Sequence, residues 1–225
     1  MHVVRGRDAD LEADREWTGR LLESAAGGTP GMRVWIPPRH VAFGRRDRTS
    51  RGYDRALEGA RQRGFETYER QVGGRAVAFD GEATIAFLLA RPIDDTTISD
   101  RFTVTLERVA TAFESLGIET DRGEPDATVC PGSCSLSHGG RKLVGLAQRV
   151  TAEASLVAGL CLFESQPSLT ACLEAVYEAL GLPFDPDSIG GIDAPPEPAT
   201  ACQRLEAQLC PGEPTQITDL DGHPS

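Results

Sequence analysis

The sequence predicts an α/β protein of the α+β kind, with a mixed, largely antiparallel sheet and helices packed against it. Three observations predict this. Segments with strand character outnumber helical ones over the first 165 residues. Several neighbouring strand segments are joined by tight turns, which favours antiparallel pairing. No GxGxxG follows a strand and no Walker loop is present, so nothing indicates a doubly wound nucleotide-binding fold.

The elements follow in order. Leu11, Trp17, Leu21 and Leu22 recur at helical spacing across residues 10–26, and GGTPG ends that helix. MRVWIPP and HVAFG predict two short strands around a Pro-Pro turn. YDRALEGARQRG predicts a helix closed by Gly64, and FETYER a strand. GGRAVAFD alternates small and apolar residues, and TIAFLLAR is the continuous apolar run of a buried strand. Phe102, Leu106, Val109, Ala110, Phe113 and Leu116 form one apolar stripe over residues 98–117, stopped by Gly117. TDRGEPDATVC is expected to lead back into a strand. RKLVGLAQRVTAEASLVAGLCLFE predicts two long strands paired through TAEA. SLTACLEAVYEALG and PATACQRLEAQL predict two helices, joined by an exposed Pro-, Gly- and Asp-rich linker. The pattern divides the chain into a catalytic-sized unit over 1–165 and a helical extension over 166–225, whose last stretch, GEPTQITDLDGHPS, is expected to be a frayed, disordered tail.

Composition narrows the function. Acidic residues number 34 against 23 basic ones, a formal net charge of −11. That argues against a nucleic-acid surface and against anionic membranes. No apolar run reaches spanning length and the N-terminus lacks a signal-peptide core, which places the protein in the cytoplasm. An acidic chain almost without lysine suits high salt, as in a halophile; a high-GC genome that favours arginine codons explains it equally well. The six cysteines are expected to be free thiols in a chain of this length, and Cys130 and Cys134 lack a second pair at zinc spacing, so no metal site is expected.

Three segments carry candidate chemistry. ERQVGGRAVAFD brings two glycines into a strand, where a ligand or a second backbone approaches closely or the strand simply bends. In GGRKLVGLAQR, Lys142 is the single lysine among 23 basic residues. Strand alternation puts Lys142, Val144, Leu146 and Gln148 on one face and Leu143, Gly145 and Ala147 on a thinner one. A compact ammonium is not replaceable by a guanidinium where one oxygen must be addressed. In VCPGS, a strand would lead to Cys130 and Pro-Gly turn away, leaving its thiol at a strand end; Lys142, Arg75 and His138 are nearby cations that favour a thiolate. A buried structural thiol is the plain alternative.

Together these segments resemble the biotin/lipoate protein ligase and octanoyltransferase superfamily. RQVGGRAVAFD, from Arg70 to Asp80, is similar to its Gly-Gly motif, and GRKLVGLAQR, with Gly140, Lys142, Gly145, Ala147 and Arg149, to its lysine motif. VCPGSCSLS resembles the Cys-Pro-Gly run of the amidotransferases that move octanoyl groups from the glycine-cleavage H protein to other lipoyl domains, with Ser135 where an aspartate is more usual. Phe79 stands where ligases have a histidine, which pulls away from them.

The resemblance implies the superfamily's catalytic-domain fold and a reaction. Cys130 attacks an acyl carbonyl and forms a thioester, and Lys142 stabilises the charge developing on the oxygen. It implies substrate binding by Arg70, Gly73, Gly74, Arg75 and Ala76, and by Gly145, Ala147 and Gln148. No cofactor is required; the octanoyl or lipoyl group is substrate. The implied partners are lipoyl-domain proteins (the H protein and 2-oxoacid dehydrogenase acyltransferase subunits) or acyl carrier protein, received by an arginine patch at Arg45, Arg46, Arg48 and Arg51. The alternative is an ATP- and Mg-dependent lipoate ligase forming an acyl-adenylate, with an accessory subunit; a non-enzymatic acyl-binding relative is a third.

Overall fold

A computed structural model of the chain describes residues 1–70, 74–164 and 166–220. The first half runs β1 (His2–Arg5), α1 (Leu11–Ala26), β2 (Gly31–Trp35), β3 (His40–Phe43), α2 (Arg45–Arg48), α3 (Tyr53–Arg61), β4 (Glu66–Glu69), β5 (Val77–Phe79) and β6 (Ile85–Pro92). The second half runs α4 (Ile98–Glu114), β7 (Asp121–Arg122), β8 (Ser135–His138), β9 (Arg141–Val150), β10 (Ala154–Cys161), α5 (Pro167–Leu180), α6 (Pro198–Leu209) and β11 (Gln216–Asp219). Local chemistry sets the helix starts. Asp10 accepts from the Ala13 N–H at 2.9 Å, Thr97 and Asp100 cap α4 reciprocally, and Pro167 opens α5.

Eight strands form one sheet in the order β11-β1-β2-β6-β10-β9-β8-β7, and β4-β3-β5 form a second. In the large sheet β11-β1 and β1-β2 are parallel and the remaining pairs antiparallel, which is the mixed, largely antiparallel sheet expected. Both faces of β6 are buried, which explains its unbroken apolar run. Ile85, Phe87 and Leu89 join the core beneath α4 and α6, whereas Leu88 and Ala90 pack against Leu21 and Ala25 of α1. A third core lies between the small sheet and helices α3 and α5, around Phe43, Phe65, Val77, Leu173 and Val176. No helix among the described residues is long and apolar enough to cross a membrane.

Several expectations need correction. β2 and β3 flank the Pro-Pro segment but enter different sheets, so Pro37 and Pro38 carry the chain from one to the other. Residues 123–134 form a loop where a strand was expected to lead to Cys130. The linker after α5 is not wholly exposed: Ser188 and Ile189 are buried, and the Gly190 N–H donates to the Lys142 carbonyl at 3.1 Å. The expected frayed tail contains β11, paired in parallel with β1; residues 221–225 lie outside the described residues. Packing draws no line at residue 165, because Leu169, Leu173 and Tyr177 share one core with Val41 and Phe43.

Two buried polar groups tie α1 and β3 into this frame. Arg33 on β2 donates to Asp14 of α1 at 2.5 Å, both side chains being essentially inaccessible, and Trp35 Nε1 donates to the second Asp14 oxygen at 3.1 Å. His40 stacks on Phe79 with centroids 4.7 Å apart, and its Nδ1 lies 2.6 Å from the Pro38 carbonyl. Burial lowers its imidazole from the ordinary 6.5 to about 4, with Arg15 lowering it further against the carbonyl bond, which raises it.

Two predictions follow from these groups. Asp14→Ala removes the counter-charge from a buried guanidinium and should cost about 3–5 kcal/mol, read from urea unfolding. For His40, the unfolded chain takes up a proton as pH falls below 6.5 while the folded chain does not until about 4. Stability present above 6.5 is therefore lost between 6.5 and 4, by about 3 kcal/mol in all. His40→Phe, which keeps the ring stack, should flatten that part of the pH dependence of the urea midpoint.

Candidate active site

A cavity of about 330 Å³ opens between the α1-facing side of the large sheet and the small sheet. Small side chains make the space: Ala86, Gly145, Ala147 and Ala158 from the large sheet and Ala42 from the small one. Leu22 of α1, Trp35, Phe79 and Leu160 supply apolar walls. Arg70, Arg149 and Cys130 bring polar atoms to it.

Cys130 sits in the 123–134 loop with φ +44, a left-handed conformation, and Ala127 has φ +52 in the same loop. Such residues cost of order 1–3 kcal/mol each and persist only where the surroundings impose them. The imposing contacts are visible. The Cys130 N–H donates to the Tyr177 hydroxyl at 2.5 Å, and that hydroxyl donates to the Ala76 carbonyl at 2.9 Å. Burial pushes the Tyr177 phenol well up, so it stays protonated. On the other side, Lys142 Nζ donates to the carbonyls of Val129 at 2.9 Å and Cys130 at 3.0 Å, and to Glu124 Oε2 at 2.6 Å. Glu124 also accepts from the Gly132 N–H and from Ser135 Oγ, each at 2.6 Å.

Lys142 reaches this position through a β-bulge. Leu136 pairs with Val144 and Ser137 with Lys142, which leaves Leu143 as the extra residue of β9. Leu143 and Val144 both enter the core under α4, and Lys142 turns to the side of Gly145. A Cβ on Gly145 would lie 3.0 Å from Lys142 Cε. The simple alternation that grouped Lys142 with Val144, Leu146 and Gln148 therefore fails at this point. Gly145 and Ala147 line the cavity as expected, whereas Gln148 does not; its buried amide has no partner among the described residues.

The sulfur itself receives two donors: the Arg75 backbone N–H and Arg70 Nη2, each at 3.2 Å. Gly74, at φ +97, allows this approach, since a Cβ there would fall 2.5 Å from Sγ and 2.6 Å from Arg70 Nη2. Of the cations expected near the thiol, Lys142 holds the loop carbonyls, and His138 turns to the Glu119 carbonyl. Arg75 offers its backbone, while its guanidinium pairs with buried Asp47 of α2 at 3.2 Å. Ala76 is buried just before β5 and contributes its carbonyl to the Tyr177 hydroxyl. Gly73 lies outside the described residues. Arg45, Arg46 and Arg48 are exposed on α2, and Arg51 just beyond it. All six cysteines are free thiols, and no cluster suited to a metal occurs among the described residues.

Sequence reasoning missed Glu124, Asp47 and Tyr177. Tyr177 left one signal: a phenol within the apolar stripe of α5 needs a partner for its hydroxyl. Glu124, in a Gly-Pro loop, left none.

Comparison with known proteins bears on the family and the fold. The family model described as "Lipoyl protein ligase A/B catalytic domain" matches residues 14–180. Octanoyl-[GcvH]:protein N-octanoyltransferases from Lysinibacillus sphaericus and Geobacillus kaustophilus are each 28% identical, over 66% and 65% of this chain. The chain spans 54% and 53% of their lengths, about half of each. Among solved structures, a T. acidophilum protein with bound lipoic acid superposes with a TM-score of 0.70 at 18% identity, covering 97% of this chain and 89% of that one. A lipoate-protein ligase A bound with ATP gives 0.62 at 17% identity, covering 91% and 94%. At such identities the structures speak to fold alone. The match across residues 14–180 is decisive on family, and the chain belongs to the lipoyl protein ligase A/B catalytic domain family.

Proposed function

We propose that this protein transfers an octanoyl or lipoyl group to the acceptor lysine of lipoyl-domain proteins through an acyl-thioester on Cys130. One observation carries the reading: a free thiol, held in a strained backbone conformation and touched by two N–H donors, stands at the wall of an apolar cavity. Its volume of about 330 Å³ is at the lower end of small-ligand cavities, suited to one unbranched chain. Burying the six methylenes and methyl of an octanoyl group contributes about 5 kcal/mol. The names of the two octanoyltransferase relatives support the same substrate class.

In this reading Sγ attacks the acyl carbonyl, a C–S bond forms, and the donor's leaving group departs with the cysteine proton. The acceptor amine then attacks the thioester, the C–N bond forms, and the thiol is regenerated. Lys142, Glu124 and Tyr177 keep the nucleophile's loop in place from both sides. The acceptors are lipoyl domains such as those of 2-oxoacid dehydrogenases; the donor is the glycine-cleavage H protein or an acyl carrier protein. No cofactor enters either step.

Incubation with an octanoyl donor should add one octanoyl mass to the wild-type protein, located on Cys130 by peptide mass spectrometry. Cys130→Ala should lose both the adduct and transfer to a lipoyl domain. Transfer by Cys130→Ala at the wild-type rate, dependent on free octanoate and ATP, would favour the ligase alternative instead. Tyr177→Phe strips partners from the Cys130 N–H and the Ala76 carbonyl and should cost about 2–4 kcal/mol in urea unfolding. Its rate of Cys130 acylation should fall with it.

A further inference from the structure

The proposed transfer needs donors for the acyl oxygen, on which negative charge develops as sulfur attacks. Donor accounting around Cys130 leaves few. Its own N–H is committed to the Tyr177 hydroxyl. All three hydrogens of the Lys142 ammonium are taken, by Glu124 and by the carbonyls of residues 129 and 130. The two donors that point at the sulfur are the Arg75 N–H and Arg70 Nη2, both 3.2 Å from Sγ.

Arg70 has more to offer than that contact. Nη2 also bridges to the Arg75 carbonyl at 2.5 Å, which fixes the guanidinium against the strand that supplies the second donor. Its Nε is buried and has no partner among the described residues, although the side chain lines the cavity. A buried N–H without an acceptor is costly and points to an absent ligand atom. The Arg70 backbone is itself fixed, its N–H donating to the Phe43 carbonyl at 2.9 Å.

We infer that Arg70 is a catalytic residue of this transfer. Its guanidinium and the Arg75 N–H together receive the acyl oxygen while Cys130 forms and later releases the thioester. The inference rests on the transferase reading above. When the C–S bond forms, the carbonyl π pair moves to oxygen, which sits on the same carbon as the sulfur that both donors already touch and so within their reach. Collapse returns that pair, expels the leaving group with the thiol proton, and leaves the thioester oxygen in the same place for the incoming amine. No further reactant is needed.

The test compares two reactions of the same sulfur. Acylation of Cys130 by the octanoyl thioester of N-acetylcysteamine passes through an oxyanion; alkylation by iodoacetamide does not. In Arg70→Gln, acylation should slow by about a hundredfold or more, as for loss of one oxyanion donor. Alkylation should change far less. Arg70→Lys, which keeps the charge and most of the stem, guards against a folding defect and should also slow acylation, because one ammonium lacks the planar fork. Acylation within about threefold of wild type in either folded variant would overturn Arg70's role, since loss of an oxyanion donor costs far more. So would alkylation that falls in parallel with acylation. A wild-type protein that accepts no acyl group from this thioester or from an octanoylated H protein would instead overturn the transferase reading itself.

Discussion

The site depends on a buried ammonium and the backbone wrapped around it. Lys142 is 1% exposed, and a charge so placed must be satisfied by protein acceptors. Those acceptors are Glu124 and two consecutive carbonyls of the loop carrying Cys130. Satisfying the cation and shaping the loop are therefore one event. The left-handed backbone at Cys130, unfavourable alone, follows from aiming the carbonyls of residues 129 and 130 at one nitrogen. Tyr177 closes the arrangement from α5, which makes that helix part of the site and not an appendage.

The two-sheet architecture supplies what that loop faces. The large sheet thins to glycine and alanine where β9 and β10 run beneath the cavity, and the small sheet covers it with Ala42, Val77 and Phe79. Buried ties hold the covering elements in register: Arg33 with Asp14 across β2 and α1, and Asp47 with Arg75 between α2 and the segment entering β5. The second tie matters for chemistry, because the Arg75 amide it steadies is one of the two donors on the sulfur.

Periodicity was a reliable guide wherever an element kept one pattern of burial along its length. The apolar stripe of α4, the β9–β10 hairpin and the doubly buried β6 all read directly from residue spacing. It failed where a single residue broke the period. The bulge at Leu143 moves Lys142 to the opposite face, and nothing in the string GRKLVG marks it. The 182–197 linker reads as exposed from its Pro and Gly content, yet its middle packs beside Lys142 because that backbone needs a partner. β11 is short and polar, so its pairing with β1 had no apolar signature. Cys130 and the small residues of β9 were legible from motif, but the atoms on the sulfur were not, since they come from a guanidinium and an amide set by three-dimensional approach.

The inward placement of the single lysine has an outward consequence. Every exposed cation on this protein is an arginine or a histidine, or the terminal amine, and guanidinium groups do not accept acyl groups under ordinary conditions. If the protein transfers acyl chains to ε-amines as proposed, it exposes no lysine ε-amine of its own. On the proposed transfer, composition alone keeps the protein's surface free of competing lysines and leaves the terminal amine as its exposed amine.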